Sequence, residues 1–323
     1  MSKKSLICGV SGQDGSYLAQ FLLNKGYKVY GGSRDAQMAS FNGLKSLGIL
    51  DKVNLVSVNI NDFRSTLQTI IKVKPDEIYN LAGQSSVGLS FEQPVETLES
   101  IAMGTLNLLE SIRFSNSEVK LYNAGSSECF GDTGNLKANE NTPFRPRSPY
   151  AVAKAAAFWE LANYREAYNI FACTGILFNH ESPLRPNRFV TKKIISTACR
   201  IYRGSKETLK LGNLEIARDW GWAPEYVEAM WLMLQQKKPD DYIIATGKTR
   251  PLRDFVKVAF ELLGLNWEDH VVSDPNLYRP TDLREGWADT SKAQEKFGWK
   301  AKKNLDEVIK LMLEYELALI KNL

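Results

Sequence analysis

Tyr150 and Lys154 stand four residues apart in "SPYAVAKAAAFWEL", a stretch rich in helix-forming alanine. On a helix that spacing puts both side chains on one face. An ammonium beside a phenol favours the phenolate and brings tyrosine down from its ordinary pKa of about 10, toward use as a base near neutral pH. A Tyr-x-x-x-Lys pair is also a common accident on a surface helix, so it needs company. Ser126 and Ser127 precede it by about two dozen residues, and either hydroxyl could hydrogen-bond a substrate oxygen. Glu128 follows in the same segment, "NAGSSECFG". A carboxylate there is either a general acid or base, or a residue at a helix start near a positive dipole end.

A second constellation lies near the N-terminus. Gly9, Gly12 and Gly15 form G-x-x-G-x-x-G, with Gln13 and Asp14 inside it, between an apolar run and an amphipathic stretch. Glycines there let the backbone turn tightly and approach a dinucleotide pyrophosphate at a helix N-terminus. The triplet alone is weak; its place between a strand and a helix makes it a dinucleotide signal. The second apolar run ends in "YGGSRD". Ser33 stands where an acid would bind the ribose 2′-hydroxyl of NAD, and Arg34 suits the 2′-phosphate of NADP. Asp35 could pair with Arg34 or bind that hydroxyl itself. The expected cofactor is NADP, with NAD as the alternative.

These residues must be held by elements. "SLICGV", "KVYGG", "VNLVSVNI", "DEIYNLAG", "VKLYNAG" and "IFACTGILFN" read as strands. Helical spacing between them predicts a helix after Gly12 that is capped at Gly26, others over 65–73 and 149–168, and a single helix over about 94–112. Strand and helix in alternation imply an α/β fold, a Rossmann-type doubly wound parallel sheet. Past Asn179 the pattern loosens, and "HESPLRPNRF" and "YRPTDLREGW" read as binding loops before an amphipathic tail helix over 304–320. The expected division is a dinucleotide-binding domain over 1–178, rejoined by about 213–248, and a smaller C-terminal substrate-binding lobe over 179–323.

Composition narrows the function. A net charge of +4 over 323 residues, with lysine and arginine scattered, gives no footprint for nucleic acid. Four cysteines without a CxxC pair point to a reduced, cytoplasmic protein. No apolar run is long enough to span a membrane, and the basic start "MSKKSLICGVSG" has too short an apolar stretch for a signal peptide. Two histidines, His180 and His270, argue against a histidine metal cluster or a Ser-His-Asp triad, so no metal is expected.

Together the motifs resemble the extended short-chain dehydrogenase/reductases that modify nucleotide sugars, and among them the GDP-mannose 4,6-dehydratase family. "GVSGQDGSYLAQFLLNKGYKVYG", "PRSPYAVAKAAAFWELANYREAYNIFACTGILFNHESP", "LGNLEIARDWGWAPEYVEAMWLMLQQ" and "YRPTD" carry the likeness, which runs from about residue 5 to 315. It implies a lyase with Ser126, Glu128, Tyr150 and Lys154 as the catalytic set. Tyr150 would take the proton of the sugar 4-hydroxyl as hydride leaves carbon 4. Glu128 would take the carbon-5 proton and protonate the departing 6-hydroxyl, and hydride would return to carbon 6. The likeness places the cofactor on Gly9, Gly12, Gln13, Asp14, Gly15, Arg34, Leu81 and Ala82, beside Tyr150 and Lys154. It places the nucleotide sugar on Ser85, Asn179, Lys193, Arg218, Arg279 and Asp282, with Asn80 and Val87 lining the site. It also implies a homodimer or homotetramer.

The chain departs from the family pattern at several positions. Gly83, Ser86, Gly125 and Ser126 are smaller than usual in segments that border the sugar, and Asp282, Arg284, Glu285 and Trp287 differ in the late loop. Densely packed pockets do not leave lost volume empty. The smaller residues predict a sugar bulkier than mannose, such as an N-acetylglucosamine or a heptose on GDP. An epimerase or reductase on the same fold is the further alternative.

Overall fold

The computed structural model describes residues 2–134 and 136–321. Its strands are β1 (Lys4–Cys8), β2 (Lys28–Ser33), β3 (Asn54–Ser57), β4 (Glu77–Asn80), β5 (Lys120–Ala124), β6 (Ala172–Leu177), β7 (Asn179–Glu181), β8 (Leu209–Leu211), β9 (Ala217–Trp222), β10 (Tyr242–Ile244), β11 (Thr249–Pro251) and β12 (Val271–Ser273). Seven form one sheet in the order β10-β6-β5-β4-β1-β2-β3, every neighbour parallel. The order reverses between β1 and β4, and open sheets of this kind bind ligands at that switch, outside the carboxyl ends of the strands.

The sheet is apolar on both faces because successive side chains alternate. Ile7, Tyr79 and Tyr122 meet Leu18 and Leu22 of the helix Gln13–Asn24 and Met230 of the helix Ala223–Leu234. Leu6, Ile78 and Leu121 meet Ile70, Leu108 and Ile112 on the other face. Each such burial stabilises by about 1.5–3 kcal/mol.

The span 94–112 is not one helix. Helix Pro94–Leu98 passes through a π turn, Glu99–Met103, into helix Gly104–Ser115. The turn seats a functional segment: Ser100 Oγ accepts the backbone N–H of Gln84 at 3.1 Å. Beyond Asn179 the chain is more ordered than its sequence pattern suggests. The helices Val190–Tyr202, Leu252–Glu261 and Leu305–Lys321 enclose a second core with Trp220 of β9, built on Ile195, Phe255, Phe260, Val308 and Met312. β11-β9-β7 and β12-β8 make two small sheets there. Among the described residues no helix is long and apolar enough to cross a membrane.

Candidate active site

β1 ends at Cys8, and the chain turns at Gly9 with φ of +87°. A β-carbon at Gly9 would lie 2.7 Å from the carbonyl oxygen of Leu81, where the chain leaves β4. One at Gly15 would strike the Gly9 carbonyl. The bare turn leads into the N-terminus of the helix Gln13–Asn24, and its shape and dipole fit a pyrophosphate.

Gln13 and Asp14 brace this loop. Gln13 Nε2 donates to the His180 carbonyl at 3.2 Å, and its Oε1 accepts from Ser182 Oγ at 2.7 Å. His180 Nε2 lies 2.9 Å from Asp14 Oδ2, and Nδ1 lies 2.8 Å from the Phe178 carbonyl. An acceptor at each ring nitrogen favours the doubly protonated ring. Burial alone would raise Asp14, but the charge and hydrogen bond of His180 outweigh it and hold the carboxyl below its usual range. Asp14 in turn raises His180 against its own burial.

At the end of β2, Arg34 is exposed and sits 3.8 Å from Glu96. Asp35 is not its partner. Asp35 Oδ1 accepts the N–H groups of Gln37 and Met38 at 2.9 and 3.0 Å, closing the turn after β2.

The chemistry-bearing groups gather past β5. Ser126 Oγ accepts the Glu128 N–H at 3.3 Å and caps the short 3-10 turn Ser127–Phe130. Helix Pro149–Tyr168 begins where the sequence predicts, because Ser148 Oγ accepts the Ala151 N–H at 3.1 Å and Pro149 takes the first helical position. Tyr150 therefore lies in the first turn and Lys154 one turn on. Of the two serines, Ser126 is the buried one, and its hydroxyl faces Tyr150 closely enough to counter part of the rise of the phenol.

The electrostatics differ from the sequence expectation. Burial raises Tyr150, opposed chiefly by its hydrogen bond with Ser126. Burial also pushes Lys154 down to about 8. The lysine Nζ lies 5.8 Å from the Tyr150 ring centroid and donates to the Ala124 carbonyl at 2.6 Å. Both groups are desolvated together, so the lysine alone does not depress the phenol. Glu128 is raised by burial, with Arg218 and then Arg279 opposing. Its Oε1 lies 4.0 Å from Arg218 Nε. A carboxyl raised above its ordinary range is suited to take a proton and return it.

Arg218 is fixed by its own fork. Nη1 donates to the Ala217 and Leu283 carbonyls at 2.9 Å each, and Nη2 lies 3.2 Å from Asp282 Oδ1. Arg279 Nη1 lies 3.6 Å from the same oxygen. Glu128, Arg218, Arg279 and Asp282 thus form one cluster. A cavity of about 600 Å³ opens beside it between Asp132, Arg147, Asp282 and Arg284.

The remaining predicted residues spread around this cluster. Leu81 and Ala82 follow β4, with the Leu81 N–H on the Cys8 carbonyl at 2.9 Å. Ser85 accepts from Arg188 at 3.2 Å, and Asn179 opens β7 opposite Trp220. Asn80 is buried on Asn123 at 2.9 Å, and Val87 starts a short helix capped by Ser86. Lys193 turns to the Lys210 carbonyl at 2.7 Å. Sequence reasoning missed His180 as the anchor of Asp14, Arg188 as the partner of Ser85, and Thr133, and it marked Trp287 only as a departure from the family pattern. Thr133 Oγ1 and Trp287 Nε1 are buried without a protein partner, and both residues border the small pocket at Glu128. The unusual "DLREGW" was the one available signal for Trp287.

The small residues do not widen the sugar site. A β-carbon on Gly125 would lie 2.7 Å from Thr174 Cγ2 and 3.0 Å from the Gly175 carbonyl. Gly83 has φ of +112°, and a β-carbon there would lie 2.9 Å from the Ser100 carbonyl. The missing volume is filled by β6 and by the π turn. Ser86 and Ser126 serve as caps. The expectation of a sugar bulkier than mannose loses its physical basis.

Comparison with known proteins agrees with this layout. The family model described as GDP-mannose 4,6 dehydratase matches residues 6–312. GDP-mannose 4,6 dehydratase 2 of Arabidopsis thaliana is 48% identical, over 99% of this chain and 88% of that relative. GDP-mannose 4,6 dehydratase 1 of the same plant is 46% identical, over 99% and 91%. Among solved structures, the UDP-glucose 4-epimerase of Thermus thermophilus in complex with NAD superposes with a TM-score of 0.85, at 26% identity, over 97% of this chain and 98% of that one. A likeness that reaches nearly end to end, and that contains the Ser126, Glu128, Tyr150 and Lys154 cluster, places the chain in the GDP-mannose 4,6-dehydratase family.

Proposed function

We propose that the chain is an NADP-dependent hydro-lyase that converts GDP-mannose to its 4-keto-6-deoxy derivative with loss of water. The observation that carries this reading is the placement of Glu128, half-buried and raised by desolvation, two residues from the serine whose hydroxyl opposes the rise of Tyr150. A site that only moved hydride would need the serine, tyrosine and lysine. Elimination needs one more acid–base group.

Bound in the glycine cradle, the nicotinamide dinucleotide supplies a hydride acceptor and donor. The chain's own residues do the rest. Ser126 orients the sugar 4-hydroxyl, and Tyr150 takes its proton. Lys154 keeps positive charge beside the phenolate. The resulting ketone acidifies the carbon-5 proton, which Glu128 removes. Glu128 then hands a proton to the leaving 6-hydroxyl, and the raised carboxyl is suited to that return. Carbon 6 would then take back the hydride and carbon 5 a proton drawn from solvent, which completes the 4-keto-6-deoxy sugar. Arg218 and Arg279 hold the diphosphate, for which guanidinium forks are well matched. Thr133 and Trp287 offer unpaired polar atoms to a hydroxyl-bearing ligand beside Glu128. Arg34, exposed at the end of β2, favours the 2′-phosphate of NADP. The glycine turn after β1 would hold the cofactor, and Arg218 and Arg279 would hold the sugar nucleotide.

Purified chain incubated with GDP-mannose, without added reductant, is expected to yield a product lighter by one water in mass spectrometry. An unchanged substrate mass under conditions where the chain binds GDP would refute the activity.

Two further proposals follow from the surface. Val95, Leu98 and Met103 are exposed on one helix layer, and Val152 and Trp159 on the adjoining helix Pro149–Tyr168. This apolar face supports pairing of two copies. Light scattering should give the mass of a dimer or tetramer, and Trp159→Asp should shift it toward the monomer. The described cysteines are free and buried, which supports a reducing compartment such as the cytoplasm.

A further inference from the structure

We propose that Asp282 is a resident stand-in for phosphate, a carboxylate that occupies the anion position between Arg218 and Arg279 until a ligand diphosphate displaces it. The inference rests on the reading above that these two arginines receive the diphosphate.

Three observations carry it. A single oxygen, Asp282 Oδ1, bridges both guanidiniums, at 3.2 Å from Arg218 Nη2 and 3.6 Å from Arg279 Nη1. A phosphate oxygen gripped by the same two arginines would take that place. Next, Arg218 cannot turn away to meet a ligand elsewhere, since its Nη1 is held by two backbone carbonyls. Its free donor edge is therefore fixed where Asp282 sits. Finally, the carboxylate can leave while its segment stays anchored. Arg284 is tied down by its N–H on Asp132 at 2.8 Å and its carbonyl under the Ala217 N–H at 2.7 Å. Trp287 is tied by its carbonyl to the Ala138 N–H at 2.9 Å. The neighbours of Asp282 are held as well, Thr281 Oγ1 on the Arg147 carbonyl and the Leu283 carbonyl under Arg218 Nη1 at 2.9 Å, so the Asp282 carboxylate leaves by rotation about its own side-chain bonds while the backbone stays in place.

The charge balance makes the exchange consequential. Glu128 and Asp282 together neutralise Arg218 and Arg279. An arriving diphosphate meets a like charge at Asp282 and must replace it, so part of its attraction is spent on the exchange. Asp282 thereby weakens binding of any diphosphate while keeping the arginines ordered and the site insensitive to stray anions. A residue that instead held the nucleotide by hydrogen bonds would have the opposite effect on affinity. Mutation separates the two roles by sign.

The test is calorimetric titration of the full chain with GDP, and with guanosine as a phosphate-free control. Asp282→Asn and Asp282→Ser should each bind GDP roughly tenfold more tightly, about the worth of one charge-assisted hydrogen bond. Asp282→Glu should bind near the wild-type affinity, and guanosine binding should not change. Wild-type or weaker GDP affinity in the neutral variants would overturn the proposal. A second measurement needs no variant: in a crystal structure of the wild-type chain with GDP, Asp282 should have left Arg218, and a carboxylate still seated on it would overturn the proposal equally. Neither measurement uses turnover. A chain that bound GDP in this pattern yet dehydrated no GDP-mannose would keep this inference and lose the activity.

Discussion

Glu128→Gln leaves oxidation at carbon 4 largely in place and slows water loss by roughly 10²–10⁴-fold, the range for removing a positioned acid–base group. The expectation follows from where the carboxyl lies. Ser126, Tyr150 and Lys154 form their own contacts, through the Ser126 hydroxyl and the Ala124 carbonyl, and none of these passes through the Glu128 side chain. The amide is nearly the same size, so the short turn Ser127–Phe130 keeps its cap, which uses the Glu128 backbone N–H. Arg218 loses a partner that stands off at 4.0 Å and keeps its two carbonyls and Asp282. Single-turnover mixing with GDP-mannose should show the absorbance of reduced nicotinamide appear and persist, while the dehydrated product lags. If both steps slow together, Glu128 orients the sugar rather than taking its proton. If neither slows, it has no part in the reaction.

The second large effect runs in opposite directions for activity and stability. Lys154→Met should cut turnover by roughly 10²–10⁴-fold. The same change should stabilise the ligand-free chain. Burial lowers Lys154 from 10.5 to about 8, so the folded state disfavours the ammonium. Below about pH 8 the lysine is charged in both states, and the folded chain bears the whole penalty, about 3 kcal/mol. Between about 8 and 10.5 the unfolded chain binds more protons than the folded one, so stability rises with pH as the penalty is lost. Methionine fills the same space without a charge but leaves the Ala124 carbonyl without its donor, a loss of about 1 kcal/mol. The net expectation is a gain of about 2 kcal/mol at pH 7, with no rise in stability between pH 8 and 10 from this position. Denaturant unfolding at several pH values reads both. A variant that is less stable than wild type at pH 7 would show that the hydrogen bond outweighs the burial of charge. This is stability given up for function at a working site.

Legibility in the sequence followed the range of the interactions. The strands of the large sheet could be read because both faces are buried, giving short apolar runs bounded by turns. The helix Pro149–Tyr168 could be read to the residue, since Ser148, Pro149 and the alanines are local signals. The π turn could not: Leu98, Ile101 and Thr105 keep helical spacing through it, and nothing nearby marks the wider turn. Of the second core only the tail helix could be read, while β7, β8, β11 and β12 have three residues each, too few for an alternation to show.

The site divides in the same way. Tyr150 and Lys154 announce themselves by spacing, and Glu128 by its nearness to Ser126. Asp14 and His180 are 166 residues apart, and Arg218 and Asp282 are 64 apart. Their pairing is a product of the fold, and residue type alone does not reveal it. Gly83 and Gly125 show the cost of reading volume without neighbours. Their smallness is an accommodation to Ser100 and Thr174, which no local pattern displays.

The central claim is that one site removes hydrogen from carbon 4, loses water, and returns that same hydrogen to carbon 6. GDP-mannose deuterated at carbon 4 tests it directly, with the wild-type chain and mass spectrometry and nuclear magnetic resonance of the product. The account predicts a product lighter by one water, with the deuterium carried as hydride to carbon 6 of the same sugar and a solvent-derived proton on carbon 5. A product that keeps the oxygen at carbon 6, or that has lost the deuterium altogether, would contradict it.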